Sequence, residues 1–151
     1  MSSPYVDALK LLAGRDLSEA RIRQRLARLG HDAAAIDDAV ERLKAERALD
    51  DARTAAAIAR SQVGLKGRGP RRVMRQIESA GIDSGQAKRA VDDVFADVDE
   101  EALLEAAIAR RLRGRAQVMD DSELRRLYRH LVAQGFEHDR IMRALRSRKR
   151  R

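Results

Sequence analysis

Three glycines in one register constrain this chain more than any other feature. Aligned without gaps on Gly30, Gly81 and Gly135, the sequence repeats itself with periods of 51 and 54 residues. Eight residues before each glycine stand Ile22, Val73 and Leu127; four before stand Leu26, Ile77 and Leu131. Six after stand Ile36, Ala87 and Ile141; nine after, Ala39, Ala90 and Ala144; ten after, Val40, Val91 and Leu145. Chance supplies one apolar column readily and five hardly at all. The spacings of three and four are helical, and no stretch alternates apolar and polar long enough to suggest a strand.

Each repeat reads as three short helices. The first are expected near 6–13, 52–62 and 100–113; the second end at the three glycines; the third run near 33–47, 85–96 and 139–147. Ser18 is a suitable N-cap, and the glycines suit the left-handed residue that closes a helix. Asp50-Asp51 and Asp120-Asp121 fall where helices should start, and acids there favour the helix dipole. Helices of ~8–15 residues are marginal alone, so each must pack on its neighbours. Aromatics are only 3% of 151 residues, with no Trp, so the core must be Leu, Ile, Val and Ala. That composition favours thin helix-on-helix layers. The expected fold is all-α: three tandem three-helix repeats (1–50, 51–98 and 99–151, the last with a basic tail) in an elongated, curved array in which each unit touches mainly the next.

Chemistry finds few footholds. No cysteine is present, which excludes disulfides and thiolate metal sites. His31, His130 and His138 lie in unlike settings, and the position four after His130 is Gln134, so a helical zinc pair is not formed. The Asp-Asp pairs at 37–38, 50–51, 92–93 and 120–121 suit capping or solvent faces better than metal binding, since neighbours on a helix point ~100° apart. Ser18, Ser61, Ser84 and Ser122 lack a nucleophile-elbow context. Neither an enzyme, a cofactor nor a metal is expected. No window approaches the ~18 apolar residues of a membrane span, so a soluble, cytoplasmic monomer with no membrane role is the expectation.

Charge points to an acidic partner. The formal net charge is +8, and the excess sits in residues 101–151, where fourteen basic residues meet seven acidic ones. Nucleic acid is the first candidate, although 27 of the 32 basic residues are Arg and a generally Arg-rich surface would look similar. Gly64-Leu-Lys-Gly-Arg-Gly-Pro-Arg-Arg is the most concentrated basic stretch. Gly64 and Gly69 have the separation of a phosphate loop, but Pro70-Arg71 stand where Lys-Ser/Thr is required, and no strand precedes. A milder reading is an anion site at the start of the helix that Pro70 opens, with Arg71, Arg72 and Arg75 in its first turns. The alternative is a solvated loop whose glycines only turn the chain. Arginine recurs nine residues before each glycine (Arg21, Arg72, Arg126), and Gln24, Arg75 and Arg129 stand six before. With Arg25, Lys66, Arg68 and Arg71, these form the expected binding surface, one discontinuous basic stripe suited to a periodic polyanion or an acidic filament. Tyr5, Phe95, Tyr128 and Phe136 are the only aromatics, so base stacking is an unfavoured source of affinity. The tail from Arg146 is expected to fray and to act as a nonspecific contact.

Four stretches resemble the RecX proteins, bacterial regulators of the RecA recombinase. Ala8-Leu-Lys-Leu-Leu-Ala-Gly-Arg-Asp-Leu-Ser-Glu is similar to the family's opening helix and the start of its second. Ala48-Leu49-Asp50-Asp51 resembles its Leu-Asp-Asp motif. Gly67-Arg-Gly-Pro-Arg-Arg-Val through Ala80-Gly81-Ile82 resembles its glycine-rich segment, and Leu131-Val-Ala-Gln-Gly-Phe-Glu-His-Asp-Arg-Ile its closing Gly-Phe helix pair. The match covers roughly 5–146. Two departures concern local geometry: Thr54-Ala55 stand where Phe-Ala is usual, and Ala48 replaces a glycine. The resemblance implies tandem three-helix units and a protein that binds in the groove of the RecA–DNA filament. It further implies inhibition or disassembly of that filament, with lowered ATP hydrolysis and strand exchange, and hence roles in recombination, DNA repair and the SOS response. The implied partners are the RecA filament and single-stranded DNA, directly or through the filament. The competing readings are a freestanding helix-turn-helix DNA-binding module and a purely structural scaffold for an acidic protein.

Overall fold

The computed structural model describes residues 2–113, 120–146 and 148. Among them the regular structure is nine helices and no strand. These are α1 (Pro4–Gly14), α2 (Glu19–Arg28), α3 (Ala33–Ala45), α4 (Asp51–Gly64), α5 (Pro70–Ser79), α6 (Ser84–Phe95), α7 (Glu100–Leu112), α8 (Asp121–Ala133) and α9 (His138–Arg146). Apart from Arg148, the tail beyond Arg146 lies outside the described residues.

The helix starts follow from their caps. Ser3, Ser18, Asp32, Asp50, Asp83, Asp99 and Asp120 each accept a hydrogen bond from a backbone N–H three residues on, a bond of about 1 kcal/mol at such a site. Helix α5 differs: Gly69 precedes it with no side-chain cap, and Pro70 is its first residue. The second helices stop as expected. Gly30, Gly81 and Gly135 have φ of 94°, 89° and 102°, a region that side chains with a Cβ avoid. Behind them His31 N–H and Phe136 N–H bond back to Leu26 and Leu131 carbonyls at 3.3 and 3.2 Å, closing the last turns.

The two departures are absorbed locally. Helix α4 runs unbroken through Thr54 and Ala55, both buried. Without a glycine at 48, the chain leaves α3 with Arg47 in the left-handed region at φ 58°. The Arg53 guanidinium holds that turn by donating to the Arg47 and Ala48 carbonyls. Helix α3 therefore ends at Ala45 rather than near residue 47.

Fourteen of the fifteen aligned apolar residues are buried, and Ala144 is half-buried. All but Ala39 belong to or pack against one of three cores, each built by three consecutive helices: Ala8 to Leu49, Ala55 to Val91, and Leu104 to Leu145. Extensive helix packing lies within these units. The molecule is extended accordingly. Its accessible surface is 9529 Å², against about 7,700 Å² for a compact monomer of its 16.9 kDa mass. None of the helices is long and apolar enough to cross a membrane.

Candidate functional site

Polar contacts at helix ends join the units. The Gly69 N–H donates to the Gln134 carbonyl at 2.8 Å and the Arg71 N–H to the Gly135 carbonyl at 3.0 Å. The start of α5 therefore abuts the end of α8. The same arrangement links α2 to α5: the Ser18 hydroxyl donates to the Ala80 carbonyl. Helices α8, α5 and α2 thus follow one another end to end, with the negative pole of each dipole against the positive pole of the next.

The register arginines fasten these joints. Arg21 donates to the Ser79 carbonyl at 2.9 Å, and Arg72 donates to the Ala133 carbonyl at 2.9 Å. Each reaches the residue two before the next unit's glycine. Arg126, the equivalent residue of the third unit, donates to Ser122 Oγ of its own helix at 3.3 Å. The glycines are tight against the joints. A Cβ on Gly135 would lie 2.4 Å from the Arg72 N and one on Gly69 2.6 Å from the Gly135 carbonyl carbon. One on Gly81 would lie 2.6 Å from the Ala20 Cβ, whereas one on Gly30 would meet nothing within 4 Å.

This geometry corrects the expectation of an anion site at the start of α5. The Gly69 and Arg71 amides there are already taken by the Gln134 and Gly135 carbonyls just past α8, whose end also supplies the negative pole that Arg71 and Arg72 require. The preceding glycine loop closes α4: Gly67, at φ 64°, donates to Val63 O, and Arg68 N–H donates to Gln62 O, both at 3.0 Å. Neither expected alternative, a phosphate cradle or a merely solvated turn, describes it. It is a joint.

The remaining expected site residues are placed as follows. Arg25, Lys66, Arg71, Arg75 and Arg129 are exposed, and Arg68 is half-buried. Burial and the neighbouring Arg72 charge lower the pKa of Arg68. Arg21 and Arg25 line a groove of about 730 Å³ between the first two units, together with Arg15 and Arg28. Lys66 and Arg126 share a second pocket with Arg110, Arg111 and Arg113 of the α7 end. Arg15, Arg28, Arg110, Arg111 and Arg113 were not singled out from the sequence, although the cluster at 110–113 was visible there as a local run.

Two motifs acquire structural roles. In Leu49-Asp50-Asp51, Leu49 is buried in the first core, Asp50 caps α4, and Asp51 Oδ1 accepts the Glu19 N–H at the start of α2, at 2.8 Å. Burial raises the Asp51 pKa, with the Glu19 and Asp83 charges adding to it and the Glu19 N–H opposing. The histidines separate: His31 Nε2 lies 2.7 Å from Asp7 Oδ2, His138 Nδ1 lies 2.8 Å from the Tyr128 hydroxyl, and His130 faces α7. Among the described residues, no three His, Asp or Glu side chains are grouped to hold a metal ion.

Comparison with known proteins places this architecture. The family model described as RecX, first three-helix domain, matches residues 5–43. Regulatory protein RecX of Halorhodospira halophila is 33% identical over 135 residues, covering 89% of this chain and 81% of that protein. Regulatory protein RecX of Syntrophotalea carbinolica is 33% identical over 135 residues, covering 87% of each. The crystal structure of RecX from Lactobacillus salivarius superimposes with a TM-score of 0.78 over 95% of both chains, at 19% identity, which speaks for the fold. By helices, repeat register and these relationships, the chain belongs to the RecX family of regulatory proteins.

Proposed function

We propose that this RecX-family chain is a non-enzymatic inhibitor of the RecA recombinase that lies along the RecA–DNA filament, lowers ATP hydrolysis and strand exchange, and so modulates recombination and DNA repair. Its partners are acidic RecA surface and the phosphates of single-stranded DNA, met directly or within the filament, and it acts as a monomer. The observation that carries this reading is the end-to-end order of α8, α5 and α2. It repeats the exposed Arg129, Arg75 and Arg25 at nearly the same register along an extended array, a pattern suited to a partner that itself repeats. A freestanding helix-turn-helix reader presents the N-terminal residues of its second helix to base edges. In the Gly-turned pairs of this chain that helix is α3, α6 or α9, and sequence-specific binding of duplex DNA without RecA, read by gel shift, would favour that reading.

The test is RecA ATPase on single-stranded DNA with and without the protein. Arg25→Glu, Arg75→Glu and Arg129→Glu combined should abolish inhibition while leaving helical circular dichroism intact. These three are chosen because they lie outside the joints, unlike Arg21 and Arg72. Full inhibition by the triple variant would remove the stripe from the mechanism.

A further inference from the structure

The pocket that Lys66 and Arg126 share with the end of α7 lies apart from Arg25, Arg75 and Arg129. It encloses about 520 Å³ between α7, α8 and the α4–α5 connection. Lys66 enters it from the connection, Arg110, Arg111 and Arg113 from the end of α7, and Arg126 and His130 from α8; among the described residues, Glu123 is the one carboxylate on its wall. Five permanent cations therefore face one acid. Some arginines elsewhere meet counter-charges, as Arg23 does with Glu19 and Asp37, Arg140 with Glu100 and Arg148 with Glu105. Lys66, Arg110, Arg111 and Arg113 make no ion pair with any described residue.

One member of this otherwise exposed cluster is held in place. A Cβ on Gly67 would lie 2.4 Å from Arg110 Nη2, so this guanidinium packs directly on the glycine of the α4–α5 connection. His130 registers the resulting field. Burial first, then the Arg111 and Arg110 charges, hold its imidazole below the ordinary value of 6.5. Guanidinium forks bind phosphate oxygens with paired, charge-assisted hydrogen bonds. An entering anion would also offset the part of that lowering that Arg111 and Arg110 supply.

We propose that this pocket binds a phosphate group through Lys66, Arg110, Arg111 and Arg126, and that His130 takes up a proton as the anion enters. The charged groups facing that imidazole are Arg110, Arg111 and Arg113 from α7, Lys66 from the connection, and Glu123 and Arg126 on α8. The phosphate belongs either to a nucleic-acid backbone or to a free phosphorylated molecule. The site stands on its own chemistry and requires no RecA.

The full chain is titrated separately with sodium pyrophosphate and with a ten-residue oligothymidylate, following the histidine ring protons by NMR across pH 5–8. His130→Asn assigns the signal. Binding should raise the His130 midpoint by about one pH unit. Arg111→Ala with Arg126→Ala should weaken binding at least about tenfold, the effect of losing roughly 1.4 kcal/mol. A response to pyrophosphate alone identifies a free phosphate compound; a response to the oligonucleotide alone identifies backbone phosphodiester; both support the site. No shift with either ligand, unchanged binding by the double variant, or an equal shift with hexaglutamate at the same concentration would overturn it.

Discussion

At the scale of single residues, three glycines with one conformation have three different surroundings. Gly30, Gly81 and Gly135 all have φ near +90° to +100°, so alanine at any of them meets backbone strain of ~1–2 kcal/mol. Only at Gly81 and Gly135 does a Cβ also strike the neighbouring unit, adding an overpacking cost of ~1–3 kcal/mol. Urea unfolding should therefore rank Gly30→Ala as the mildest change of the three; equal losses would mean that the joints contribute nothing. His130 gives a second prediction at this scale. Its folded-state pKa is depressed below 6.5, so the folded protein resists protonating it. Stability is complete above the unfolded pKa and falls as pH drops through the lowered value. In phosphate-free buffer, His130→Gln should flatten that part of the stability–pH curve, measured by thermal melts between pH 7.5 and 5. An unchanged slope would show that the imidazole does not sense the α7 charges.

At the scale of helices, what could be read in advance was what is local. Caps such as Ser18 and Asp120, the stop at each glycine and the buried columns all follow from residues within one or two turns, and the helices lie close to their expected bounds. The joints are another matter. They pair residues some sixty positions apart, and the acceptors are the carbonyls of Ser79, Ala80, Ala133 and Gln134, which leave no side-chain signature. The arginine nine before each glycine was visible as a repeated feature, but its direction was not. A guanidinium that reaches the next helix end and one that reaches solvent have the same one-letter code. Arg110 and Arg111 escaped for a related reason: the glycine alignment orders the second and third helices, and α7 belongs to neither.

At the scale of the molecule, three separate cores linked through helix ends make an object with more surface than its mass requires. Small-angle scattering should give a radius of gyration clearly above the ~15 Å of a compact chain of this length; a value at 15 Å would contradict the array. If several contacts with single-stranded DNA are phosphates, the logarithm of affinity should fall by about 0.7 per log unit of salt for each. The Arg25, Arg75 and Arg129 charge reversals should shallow that slope, read by fluorescence anisotropy at several ionic strengths. A slope that remains unchanged would assign the phosphates to other cations.

The two extremities of the helix stack are not alike, and this gives the architecture a direction of growth. At one extremity α2 ends in Leu29, 57% exposed, and Gly30, with open space around it. At the other, α8 has 13 residues where α2 and α5 have 10, and its extra turn is sealed by the Asp120 cap. A duplicated unit placed ahead of α1 would find a vacant seat of the kind that α5 and α8 already offer. One appended after α9 would first have to unwind the beginning of α8. Duplication can therefore lengthen such an array from its front, while the back acts as a stop.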